Sequence, residues 1–259
     1  MHLYMPPKPA IIIPGKEDRS IDWRKPVSKA MFPFATPFLG AGGVQIGTPT
    51  TIGSANLGSA KIQISTTAPV AVGQVIWVAV QISGTLSVGV SSVSDGGSNT
   101  YTLQQANGGA NRTELWAAIV TTAIAAGTTI TIIVPGTVSS GYGVAAQCSG
   151  IAQSSPLDSS AANAASVSIG TSASITTASG LASGNEIVIG VIGTTKGTES
   201  TFSPGSGFTT LYGLTGGNAS AGIALCHNRV SSNTSVTFSP SWSSTGAAGN
   251  IIIAPFKGA

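Results

Sequence analysis

The sequence predicts an all-β fold: a β-sandwich, for which a jelly-roll-like arrangement is one option, preceded by an extended Pro-rich N-terminal arm. Three observations predict it. Beyond about residue 55, segments rich in Val, Ile and Thr either alternate with polar residues or run apolar. Gly, Ser, Asn and Pro interrupt them at about eight to twelve residues, the spacing of a sandwich or barrel rather than of alternating β and α units. No stretch combines a helical apolar period with a convincing cap.

Residues 1–50 read as the arm. Prolines at 6, 7, 9, 14, 26, 33, 37 and 49 remove backbone donors and block continuous helix. The arm also carries Trp23, the triplet Ile11, Ile12 and Ile13, and Phe32, Phe34 and Phe38. That apolar content is too high for a typical solvated tail. The Ile triplet suits strand addition to an exposed sheet edge, and the phenylalanines suit pockets on a partner or on the body.

Residues 51–259 read as the body. The first series of strands is predicted at 61–66, 74–83, 88–94, 100–104, 114–122, 128–134 and 143–148. A second follows at 166–176, 186–193, 208–212, 222–229, 235–239 and 250–256. The series, about 60–150 and 165–257, resemble each other at an offset near 105 to 110 residues. Gly73-Gln-Val-Ile-Trp-Val-Ala-Val80 lines up with Gly184-Asn-Glu-Ile-Val-Ile-Gly-Val191, and Val144-Ala-Ala-Gln-Cys148 with Asn250-Ile-Ile-Ile-Ala254. Two related halves follow, either as two sheets of one sandwich or as two tandem small sandwiches. The Ser- and Ala-rich stretch 150–183 is then the bridge.

Charge divides the chain differently. Residues 1–29 hold six basic and three acidic side chains, among them Arg24 and Lys25, and the other 230 residues hold five of each. The whole formal charge of +3 therefore belongs to the arm. Charged residues are 7% of the chain against about 25% in an average domain. A neutral body lacks the clustered Lys and Arg that bind phosphate, so no nucleic-acid partner is expected, and copies packed together repel little. No apolar run reaches the length of about eighteen residues that a membrane helix needs. The start lacks a charged n-region and an uninterrupted h-region, which predicts a chain not exported through a signal peptide.

Candidate chemistry is sparse. Cys148 and Cys226 sit in apolar strand surroundings and read as buried free thiols. His227 adjoins Cys226, and neighbours on a strand point to opposite faces, which is wrong for a thiolate–imidazolium couple. No His, Cys and carboxylate spacing suits zinc, so no metal or cofactor is expected. Asp95, in Asp-Gly-Gly-Ser-Asn99, reads as a turn residue bonded to its own loop. Glu114 shares a strand face with Arg112 and reads as its ion-pair partner, and Asp158 reads as another turn. The glycines of 40–43 suggest a hinge, and Gly213-Leu-Thr-Gly-Gly217 suggests a hairpin turn. Trp77 and Trp116 read as packing residues, whereas Trp242 and Tyr212, placed near loops, are the candidates for an exposed sugar-stacking platform. The sequence offers no assembled catalytic site, and an enzyme is not expected.

Three segments carry a resemblance: Val93-Ser-Asp-Gly-Gly-Ser-Asn-Thr-Tyr-Thr-Leu103, Leu115-Trp-Ala-Ala118 and Cys148-Ser-Gly-Ile-Ala-Gln-Ser-Ser-Pro-Leu-Asp158. In this order they resemble a β-sandwich module of tailed-bacteriophage virion proteins and of some secreted bacterial proteins. The arm from Pro6 to Gly43 is similar in style to Pro-rich extensions that tie phage structural proteins to a capsid or neck. The resemblance covers roughly residues 60–160 and brings no catalytic residue with it. It implies a virion structural protein, assembled in the host cytoplasm, that decorates or cements the capsid or neck as a homo-oligomer. The docking residues would be Ile11, Ile12, Ile13, Trp23, Arg24, Lys25, Phe32, Phe34 and Phe38, facing other virion proteins. The alternative it allows is a carbohydrate- or receptor-binding module of a tail or fibre, with Trp242 and Tyr212 meeting a host-surface glycan.

Overall fold

A computed structural model describes residues 45–84, 89–109, 111–196, 201–218, 221–243 and 247–259. All its regular structure is β. The first half contributes β1 (Thr50–Asn56), β2 (Lys61–Ser65), β3 (Val75–Gly84), β4 (Ser92–Ser94), β5 (Thr102–Gly108), β6 (Asn111–Ile119), β7 (Thr129–Ile133) and β8 (Val138–Cys148). The second contributes β9 (Asn163–Gly170), β10 (Ile175–Thr176), β11 (Glu186–Thr194), β12 (Phe202–Ser203), β13 (Thr209–Asn218), β14 (Ala221–Val230), β15 (Thr237–Phe238), β16 (Ser241–Trp242) and β17 (Ala247–Lys257).

The repeat is topological as well as textual. One five-stranded sheet has the order β1-β8-β3-β6-β5, and the other has β9-β17-β11-β14-β13, the same path one half later. Opposite the first lies a smaller sheet, β2-β7-β4. Its counterpart in the second half is broken into two pairs, β10-β15 and β12-β16. All strand pairs are antiparallel, and the alternation between large and small sheet within each half is jelly-roll order. Of the two arrangements the sequence allows, the chain adopts two tandem sandwiches. Their large sheets face each other, giving four layers.

This layering explains the patterning. β3 and β11 are the middle strands of sheets covered on both faces, and both are buried almost end to end, hence their continuous apolar text. β2 and β7 belong to an outer layer, and their side chains alternate between buried and exposed or half-buried. Three cores result. Ile62, Ile64, Ile130 and Ile132 pack against Ile76, Val78 and Val80 in the first half. Phe238, Trp242 and Ile175 pack against Val188, Ile192 and Ile253 in the second. Between the large sheets lie Trp77, Leu115, Val144, Ile189, Leu225, Ile252 and Phe256. The Trp77 and Phe256 rings meet edge to face at 5.3 Å and 65°, a geometry that suits their quadrupoles.

The faces correct the sequence alignment of the halves. Pairing Gly73 with Gly184 matches Trp77 to Val188, but Trp77 faces the central layer and Val188 the outer core. A slip of one residue reverses a strand's faces, so the halves correspond one residue away from the textual match. Two glycines mark close approaches. A Cβ on Gly190 would lie 2.9 Å from the Phe238 ring, and one on Gly193 would collide with Gln81 Oε1 and Thr113 Oγ1. Gln81 and Thr113 form a buried hydrogen bond of 2.5 Å within the central layer.

Other expectations shift in detail. The body starts earlier than residue 51: Ile46 is buried in the central core, Gly47 N–H donates to Ser149 O, and β1 was not foreseen. The stretch 166–176 is two strands, β9 and β10, so the bridge between halves is shorter than 150–183. Gly213–Gly217 is not a turn. It lies within β13, whose register against β14 shifts repeatedly, as bulges and glycines in strands allow. The glycines of 40–43 lie outside the described residues.

Candidate functional site

Four carboxylates of the body, Asp95, Glu114, Asp158 and Glu186, are tied into its frame. Asp95 accepts from Gly97 N–H (2.9 Å), Asn99 N–H (3.2 Å), Asn99 Nδ2 (3.0 Å) and the Tyr101 hydroxyl (3.0 Å). It is the turn residue the sequence predicts. Asn99 Oδ1 in turn accepts from Thr121 and Thr122 N–H. Burial, and then the Asp95 charge, push the Tyr101 hydroxyl up. Glu114 is 1% exposed and pairs with Arg112 Nε at 2.5 Å. Its other oxygen accepts from Trp116 Nε1 at 2.7 Å, and Val90 N–H donates to the first at 3.1 Å. These bonds satisfy a carboxylate that burial would otherwise penalise.

Asp158 and Glu186 hold one loop from two sides. Asp158 accepts from Ser160 Oγ (2.7 Å) and Ala182 N–H (2.9 Å), and Glu186 accepts from the adjacent Ser183 N–H (2.8 Å). Glu186 Oε2 finds no partner among the described residues. Desolvation raises the Glu186 carboxyl, and the nearby Asp158 charge adds to the rise against the pull of Ser183 N–H and Lys257.

Cys148 and Cys226 are free, buried thiols in different layers. Burial pushes them up to about 11 and about 12, far from a reactive thiolate. His227 is buried, its Nδ1 is unpartnered among the described residues, and burial with the Arg229 charge lowers its affinity for a proton. Among the described residues no three His, Cys, Asp or Glu side chains gather as metal ligands.

The sugar-stacking platform is not formed. Trp242 is 4% exposed, packs in the second-half core, and donates Nε1–H to Gly170 O at 3.1 Å. Tyr212 is half-buried at the central layer, stacked on Tyr142 at 5.9 Å with the hydroxyls 2.5 Å apart. Its hydroxyl also accepts from Ser54 Oγ at 3.2 Å. Both aromatics bind the body to itself, in different layers. The docking residues Ile11, Ile12, Ile13, Trp23, Arg24, Lys25, Phe32, Phe34 and Phe38 lie outside the described residues.

One open feature was not foreseen. A groove of about 500 Å³ opens beside β5 and β6. Val75, Ala117, Ile119 and Leu157, all belonging to or packed on the central core, form its apolar floor, and Thr102 and Gln104 stand on its rim. Ser155, Pro156 and Leu157, in the loop after the first half, close its other side. No local pattern announces it, because its floor comes from two strands, β3 and β6, and a loop. No known protein family, curated protein or solved structure matches the chain.

Proposed function

We propose that the chain is a structural protein of a tailed-phage virion, which decorates or cements the capsid or neck by docking its N-terminal arm. The observation that carries this reading is the division of labour between charges. The arm holds the entire net charge of +3. In the body, Asp95, Glu114, Asp158 and Glu186 each accept hydrogen bonds that fix a loop or strand. A body whose described carboxylates serve its own frame is a stable, neutral building block, and the basic, aromatic arm is the part equipped to choose a partner surface. Four stacked β layers, sealed on one side by Tyr142 and Tyr212 and on another by Asn107 and Asn250 (3.2 Å), suit a rigid particle component.

The reading as a tail or fibre glycan-binding module loses its two named contacts, since Trp242 and Tyr212 face inward. Particle incorporation tests the proposal. The chain lacking residues 1–44 should fold and fail to join virions assembled from the other structural proteins. Normal incorporation of that truncation would refute arm docking.

A further inference from the structure

The geometry points to Tyr142 and Tyr212 as an oxidative cross-linking site, where one-electron oxidants couple the two phenols into dityrosine and staple the two sandwiches together. The site stands whether or not the arm docks.

Placement supplies the first argument. Tyr142 belongs to β8 of the first half and Tyr212 to β13 of the second. The pair is 70 residues apart in the chain, yet the hydroxyls lie 2.5 Å apart and the rings stack at 5.9 Å and 28°. Hydroxyls this close carry the ortho carbons that flank them toward one another from opposite sheets. A carbon–carbon bond needs the rings to close further, and β13 is the strand able to yield. Its register against β14 shifts on both sides of Tyr212.

The chemistry supplies the second. Ser54 Oγ accepts from the Tyr142 hydroxyl at 3.1 Å and donates to the Tyr212 hydroxyl at 3.2 Å. Three hydroxyls, each able to donate and accept, thus close a ring through which protons leave. Each phenol gives one electron to the oxidant and one proton through this ring to solvent. The two phenoxyl radicals carry spin on their ortho carbons, and a bond forms between one such carbon of each ring. The hydrogen on each bonded carbon then moves to its own phenolic oxygen. The net change is the loss of two electrons and two protons, with both hydroxyls restored. Competing groups are set apart. Burial holds the thiols of Cys148 and Cys226 protonated, and Tyr101 packs in the outer core of the first half, bonded to Asp95.

Photo-oxidation of the dilute full chain with ruthenium tris-bipyridyl and persulfate tests the site, read by mass spectrometry after digestion. The expected product has the mass of one chain and joins the peptides of Tyr142 and Tyr212, lighter by two hydrogens than their sum. Tyr142→Phe and Tyr212→Phe should each remove it, and Tyr101→Phe should leave it. In urea the yield from the unmutated chain should fall at least about tenfold, because unfolding separates the rings. Should a Phe variant lose its β spectrum, the urea comparison decides alone. Absence of dityrosine from the folded chain would overturn the proposal. So would coupling to Tyr4 or Tyr101 in comparable yield, a product of two-chain mass only, or an equal yield in urea.

Discussion

Gly190 has no side chain because Phe238 occupies the space, with ring carbons 2.9 Å from where a Cβ would stand. Gly190→Ala should therefore overpack the second-half core and cost about 1–3 kcal/mol in chemical denaturation. Glu186 gives a prediction with a sign. Its folded-state carboxyl titrates above the ordinary 4.5, chiefly through desolvation, so the unfolded chain ionises first as pH rises. The stability tied to this group is complete below the unfolded value and is lost as pH climbs through the raised one. Glu186→Gln should then raise Tm at about pH 8 and change it little at about pH 4, a difference thermal scans resolve. Trp242→Ala should cost about 3–5 kcal/mol of stability, in contrast to the stable variant with altered ligand binding that an exposed platform would give. The sequence around Trp242 is Pro-Ser-Trp-Ser-Ser, which looks like a loop. Its burial is imposed from afar by Thr171 O and Gly170 O, which accept its two N–H groups, and no local pattern encodes that. The turn role of Asp95 and the Arg112–Glu114 pair were legible because both act within a few residues.

Among the elements, legibility follows the number of covered faces. β2 and β7 were readable from alternation, and β3 and β11 from unbroken apolar runs. β1 was missed because its text, Thr-Thr-Ile-Gly-Ser-Ala-Asn, has one large apolar residue, Ile52, and it is a strand by virtue of pairing with β8. β12 and β16 are two-residue strands held by each other, below any periodicity. The outer layer of the first half offers a paired test. Ile132 is fully buried and Thr131, its neighbour on the opposite face, is half-buried. Ile132→Ala should cost about 2–5 kcal/mol, while Thr131→Ala should stay within about 0.5 kcal/mol. Equal losses at the two positions would contradict the assignment of faces.

Across the whole molecule, two jelly-roll halves bury their large sheets against each other. The doubling was visible as a repeat, but the choice of tandem sandwiches was not, because strand order is a property of pairing and not of text. The one-residue slip between text and structure has the same origin: glycine and valine spacing aligns the words, and the central layer aligns the faces. Arm and body differ in chemistry so sharply that the account turns on their independence. The most direct test is the solution mass, by light scattering, of the full chain beside the chain lacking residues 1–44, with circular dichroism on both. The account predicts an oligomer for the full chain and a monomer with an intact β spectrum for the truncation. A truncation that keeps the full chain's oligomeric state, or that loses the β spectrum, would contradict it.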